Sequence, residues 1–279
     1  MAGWLDSVKS TLYGGLHSSI IDLGGAECAH HIPFWVKITE SVGVIIYAAI
    51  VIAWTAKKVT YVTDEDVLVM RARDIRVGSG CRSVMLMILA LVFGMELSYK
   101  VVIGRLLFVM NPCHVITITQ LCLLCVVPSK LSVAVFRVMI HNLFGAFLGL
   151  LFAATTGRQL PGQVSVYWAQ HLLICIIPMY MIYSWGPQCL EPLSDWSWAR
   201  ISLVVFGLYH HHILLPLAEL THVNLGFMLC PPSSDPIGGP YYRIIYTILM
   251  SILGLTIGKL YTATYFCLAN QFSIKNKEN

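Results

Sequence analysis

Charge is what this chain has least of. Only 11% of its 279 residues are Asp, Glu, Lys or Arg, where soluble domains carry about 25%. One-sided charge is lacking too. Eighteen Lys and Arg against fourteen Asp and Glu leave a formal +4, too small a bias for a nucleic-acid partner. A continuous apolar leader is missing: Met1–Thr39 mixes Gly pairs, charges and His, so no signal peptide is expected. Repeats and low-complexity tracts are absent as well. What is abundant is apolar side chain, 57% of the residues, against roughly 45–50% in soluble domains. The apolar runs exclude a disordered protein, a coiled coil and a secreted disulfide scaffold. They predict an all-α, polytopic membrane bundle.

Seven stretches reach or approach spanning length: Ile38–Ala56, Ser83–Val102, Cys113–Val127, Val133–Thr155, Ser165–Trp185, Ala199–Leu220 and Tyr242–Leu268. The third is short. One transmembrane domain, 38–268, is therefore expected between an N-terminal segment, 1–37, and a tail, 269–279. The polar stretch 57–82 reads as a flexible linker, with Asp64, Glu65 and Asp66 followed by Arg71, Arg73, Arg76 and Arg82. Lys57, Lys58 and those four Arg make this loop cytoplasmic by the positive-inside rule. Alternation then puts Lys130, Arg200, Lys275 and Lys277 on the same side. Fewer cations, Lys9, Lys37, Arg105, Arg158 and Arg243, fall opposite. The N-terminus is thus expected to be lumenal and the C-terminus cytoplasmic.

That topology gathers polar residues from distant parts of the chain into the lumenal half. The third span begins there at Asn111-Pro112-Cys113-His114. The fifth begins there with His171 about two turns in. The sixth ends there, before a loop holding His222, Asn224, Cys230 and Asp235. Ionisable residues within spans are functional candidates, because hydrocarbon penalises them. Asn is a good N-cap and Pro a good first helical residue, so Cys113 falls in a first turn whose free N–H groups favour a thiolate. The helix dipole contributes only about 0.3–1 kcal/mol, and desolvation opposes the charge by more. A base must stand close. His171 matches in depth, whereas His114 points about 100° away around its helix.

Other readings of these residues compete. Cys113 can be a small apolar filler, or pair with Cys28 or Cys230 in an oxidising compartment. Cys122, Cys125, Cys175 and Cys267 read as packing residues. His141, His171 and one of His210–His212 offer donors for a zinc or iron centre, or each is hydrogen-bonded across helices. Glu96 and Lys100, spaced i,i+4, can simply pair, or Lys100 can meet a lipid phosphate. Pro178 and Pro216 predict kinks. In the loop 221–241, Cys230–Pro240, with four prolines and two glycines, cannot be helical throughout, and the loop is expected to dip back as a lid or wall over the Cys113–His171 site.

Motif by motif, the chain resembles the transmembrane protein 164 family. The likeness is carried by Phe93-Gly94-x-Glu96 with Lys100, Asn111-Pro112-Cys113-His114, Gln170-His171, Tyr209-His210 and Val223-Asn224-Leu225. Met228-Leu229-Cys230-Pro231, Ser234-Asp235-Pro236, Gly239-Pro240 and Tyr242-Arg243 continue it, and Gly14-Gly15 and Gly24-Gly25 with Cys28 fit the N-terminal segment. The resemblance implies transfer of polyunsaturated acyl chains to ether lysophospholipids by a Cys and a His, corresponding to Cys113 and His171. It makes Tyr209, His210, Asn224 and Cys230 site-wall residues, beside Asn111, His114, His141, Glu96 and Lys100. A phospholipid donor, a lysophospholipid acceptor, no cofactor or metal, and an endoplasmic-reticulum or other endomembrane address are expected. Competing functions are a lipid hydrolase or thioesterase using the same pair, and a His-based metal transporter or sensor.

Overall fold

The computed structural model describes the chain except Met1, His17, Ser18, Ser19, Ala154, Thr156, Ser234, Asp235, Pro236 and residues 276–279. Asp235, expected near the site, therefore lies outside the described residues, as does the whole Ser234-Asp235-Pro236 motif. Among the described residues the regular structure is helical: α1 (Ala2–Tyr13), α2 (Ala26–Ala29), α3 (Phe34–Thr55), α4 (Asp64–Val77), α5 (Gly80–Val102), α6 (Pro112–Cys125), α7 (Lys130–His141), α8 (Phe144–Leu151), α9 (Gln163–Trp185), α10 (Ser197–Tyr209), α11 (Leu215–Thr221) and α12 (Tyr242–Lys275).

Among the described residues six helical stretches are long and apolar enough to cross a membrane: α3, α5, α7 with α8, α9, α10 with α11, and Tyr242–Cys267 of α12. They expose large apolar side chains such as Ile45, Ile50, Leu91 and Ile248, as a lipid-facing surface requires. The expected seventh span, α6, has 14 residues, about 21 Å of helix against about 30 Å of hydrocarbon. Pro112 opens it, and the backbone turns extended at Val126, just before Pro128.

Two of the six are interrupted. Asn142 separates α7 from α8, with its Nδ2 donating back to Val138 O at 3.0 Å. A π-turn, His210–Leu214, separates α10 from α11, immediately ahead of Pro216, whose missing N–H breaks the ladder. Within α9, Pro178 leaves the carbonyl of Ile174 without its helical donor. Gln120 Nε2 of α6 supplies one at 2.8 Å, which ties the short helix to the long one.

The stretch expected to be a flexible linker is instead helical over α4. Thr63 and Asp66 form a reciprocal capping box at its start, a pattern worth about 1 kcal/mol. Arg73 Nε donates to Tyr183 O, Ser184 Oγ donates to Asp74, and Arg82 pairs with Asp74. Polar composition misled the expectation, because these polar groups are spent on anchoring the helix to the end of α9.

Candidate functional site

Cys113 sits at the second position of α6, a free and partly buried thiol. Asn111 occupies the N-cap position with extended backbone, yet its side chain does not cap α6. Asn111 Oδ1 accepts from Gly226 N at 2.9 Å, joining the helix start to the loop after α11. The expected local cap is thus corrected to a long-range tether.

Beneath this helix start lies a buried ion cluster. Glu96 of α5 is fully buried. Its Oε1 is 3.1 Å from Lys100 Nζ, and both carboxylate oxygens accept from Arg158 Nη1 at 3.1 and 3.2 Å. His114 Nε2 approaches Oε1 at 3.9 Å. Lys100, Arg158 and Glu96 all act electrostatically on Cys113, and Glu96 and Arg158 act on His171 as well.

The neighbouring residue on α9 organises the contact with α6. Gln170 Nε2 donates to His114 Nδ1 and to Thr117 Oγ1, both at 2.9 Å, and Thr117 Oγ1 donates to Cys113 O at 2.8 Å. An amide nitrogen only donates, so His114 Nδ1 accepts and the ring proton is on Nε2, toward Glu96. His114 has no spare lone pair.

His171 is arranged the other way. Its Nδ1 lies 2.8 Å from Tyr167 O, and the ring packs against Tyr167, tilted by 37° with centroids 4.1 Å apart. A carbonyl only accepts, so the proton is on Nδ1 and the Nε2 lone pair is unclaimed. Tyr167 is itself fixed, its OH donating to Gly149 O at 2.6 Å and its face 4.4 Å from the Arg158 guanidinium. No hydrogen bond joins His171 to the Cys113 thiol among the described residues. Both border the same ion cluster from opposite helices. Gly149 is required where it stands: a Cβ there would lie 2.6 Å from His171 Cδ2 and 2.7 Å from Nε2.

The remaining expected residues divide. Tyr209 OH donates to Met110 O at 2.5 Å, beside the start of α6. His210 Nδ1 faces Phe206 O at 2.9 Å, and its ring sits 3.6 Å from where a Cβ on Gly226 would be. Asn224 folds the loop internally: Nδ2 donates to Cys230 O, and Oδ1 accepts from Leu229 N. Cys230 is bonded to Cys28, which settles the disulfide alternatives and leaves Cys113 free. The loop is further pinned by Gly25 N donating to His222 O, by a Gly24–Val223 bridge, and by Tyr242 OH and Arg243 reaching Phe227 O and Met228 O.

His141 is elsewhere. It faces Glu191 Oε2 at 3.3 Å and Gly254 O at 3.1 Å, with Lys259 pairing to Glu191 at 2.6 Å. Nearby, Arg137 is held by the carbonyls of Thr60, Gln188, Cys189 and Leu190. The metal centre of His141, His171 and His210 is therefore not formed. Each ring faces a different backbone carbonyl, and no metal-holding group of His, Cys, Asp or Glu occurs among the described residues. Residues that pattern reading passed over are Arg158, Tyr167 and Gly149. Arg158 counted only as a topology charge, although a lone cation between apolar helices is itself a signal.

The profile of the TMEM164 family matches residues 29–261. A protein of Dictyostelium discoideum described as "Transmembrane protein 164 homolog" is 26% identical over 200 residues, covering 68% of this chain and 70% of that one. No solved structure matches. With a match that takes in the whole helical bundle from α3 through the first half of α12, this multi-pass membrane protein belongs to the TMEM164 family.

Proposed function

We propose that the protein is a membrane acyltransferase that moves a polyunsaturated acyl chain onto an ether lysophospholipid through a thioester on Cys113. The observation that carries this reading is a pairing of states. A free thiol in the first turn of α6 and an imidazole with an unclaimed Nε2 lone pair border one buried ion cluster. His114 is an unsuitable base because both its nitrogens are committed.

In the first half-reaction His171 Nε2 takes the thiol proton and the Cys113 sulfur attacks the ester carbonyl of a donor phospholipid. A C–S bond forms, the C–O bond to the glycerol breaks, and His171 returns the proton to the leaving lyso oxygen. In the second, the acceptor hydroxyl gives its proton to His171, a C–O bond forms, the C–S bond breaks, and His171 returns the proton to the Cys113 sulfur. First-turn N–H groups of α6 stabilise the oxyanion, while Asn111, committed to Gly226, acts by holding the loop. Exclusion of water by that loop favours transfer over hydrolysis. The site then faces the lumen of an endomembrane, with the N-terminus on that side. A lumenal site favours a phospholipid over acyl-CoA as donor.

Cells lacking the protein are supplied with Cys113→Ala, His171→Ala or wild-type chains at matched levels, and ether phospholipids are profiled. Loss of polyunsaturated species with both variants is expected. Wild-type profiles from both overturn the proposal. Dominant release of free fatty acid by purified protein, despite added lyso acceptor, replaces transfer with hydrolysis.

A further inference from the structure

The ion cluster beside Cys113 does not balance. Lys100 is 8% exposed, Arg105 6% and Glu96 0%, and Arg158 has a largely buried side chain. Three cations thus share one carboxylate, since among the described residues Lys100 and Arg158 pair with Glu96 and Arg105 bonds only the carbonyls of Gly15 and Gly157. Arg158 and Arg105 stand within electrostatic range of each other. A buried excess of positive charge at membrane depth is costly and marks a partner of opposite sign.

The uncommitted atoms define that partner. Arg158 spends only Nη1 on Glu96, so the Nε–Nη2 edge of its fork has no partner among the described residues. That edge matches two oxygens of a phosphate. Tyr167 fixes the guanidinium plane from 4.4 Å, which limits the edge's freedom. Among the described residues Lys100 Nζ has Glu96 as its one ion-pair partner and stands 5.8 Å from the Phe108 ring centre, leaving donors for a further anion.

We infer that Arg158 and Lys100 form a phosphate-binding subsite that holds the headgroup of the glycerophospholipid acted on at Cys113. This deepens the acyl-transfer reading and rests on it for the identity of the reacting lipid. In a glycerophospholipid the phosphate is carried on the glycerol carbon adjacent to the sn-2 position. A phosphate seated on Arg158 and Lys100 therefore presents the sn-2 oxygen to the thiol, and a lipid without phosphate lacks that registration. Arg105 adds field without direct contact, its fork being spent on two loop carbonyls.

The test measures binding, so that it does not depend on turnover. Full-length Cys113→Ala protein in nanodiscs is titrated with a 1-alkyl lysophosphatidylcholine and with the matched 1-alkylglycerol, which has no phosphate. The lysophospholipid is expected to bind at least about tenfold more tightly. Arg158→Gln is expected to bring the two ligands within about twofold, and Arg158→Lys to keep part of the preference, with monodispersity and melting temperature reporting folding. Inorganic phosphate is expected to compete only weakly. Equal binding of the two lipids, or an undiminished preference in folded Arg158→Gln, overturns the inference. Displacement of the lipid by micromolar inorganic phosphate assigns the subsite to the free ion and overturns it too. Retained discrimination in the Cys113→Ala protein, together with no acyl transfer by the purified wild-type chain, removes the acyl-transfer reading alone.

Discussion

Gly149→Ala is the sharpest perturbation of the proposed Cys–His site that leaves the Cys113 and His171 side chains in place. The added Cβ lands 2.6 Å from His171 Cδ2, and ordinary contact begins at 3.4 Å, so ring and helix must separate by about 0.8 Å. The ring cannot recede freely, being held at Nδ1 by Tyr167 O and packed against the Tyr167 ring. A misplacement of about 1 Å in a reacting group costs up to about 100-fold in rate. We expect kcat to fall about 10- to 100-fold, roughly 1.4–2.7 kcal/mol of barrier. Helix propensity works the other way, since Ala is favoured over Gly by about 1 kcal/mol, so melting temperature should hold. The same helix supplies the control: a Cβ on Gly145 meets nothing within 4 Å, and Gly145→Ala should keep activity and gain stability. Acyl transfer by purified variants, alongside thermal unfolding, decides. Full activity in a well-folded Gly149→Ala protein would refute the account of His171.

Gly258→Ala should cost about 2–4 kcal/mol of stability, because its Cβ would lie 2.4 Å from His141 Nδ1 and break the contact with Glu191; thermal melts check it, and an unchanged melt contradicts it. Cys28→Ser removes a crosslink spanning 202 residues and should cost about 3–5 kcal/mol, with Cys230→Ser no worse in combination; additive losses in the double variant would be inconsistent with this. Asp66 is held below its ordinary range by the Thr63 backbone N–H and then its hydroxyl. A lowered folded value means stabilisation that is complete above the unfolded value, about 3.9, and is lost as pH falls through the folded one. Carboxyl NMR should therefore place the Asp66 midpoint below 3.9, and Thr63→Ala should raise it; a midpoint at or above 3.9 in the parent protein is the contrary result.

Apolar runs located the spans because hydrocarbon demands about 20 apolar residues whatever the neighbours do. α6 falls short of that length, and this 14-residue helix is stabilised by α9 through Gln120 and Gln170. Those contacts cross more than 50 residues of sequence and leave no local trace. The pattern Thr63-x-x-Asp66 that starts α4 went unread, because the surrounding charge made the stretch look like a linker. At the site, Glu96 and Lys100 were legible as an i,i+4 pair, while Arg158, 62 residues from Glu96, was not. His141 looked like a site residue because sequence shows its type and depth and hides Glu191, the partner that claims it.

The Cys28–Cys230 crosslink also bears on synthesis. Cys28 leaves the ribosome 202 residues ahead of its partner, a delay of about 10–40 s at about 5–20 residues per second. Within that interval Cys113 emerges while Cys230 does not yet exist. Cys113 is thus available to Cys28 earlier than the native partner is, and under the proposed function any early Cys28–Cys113 bond has to be exchanged before the chain can act.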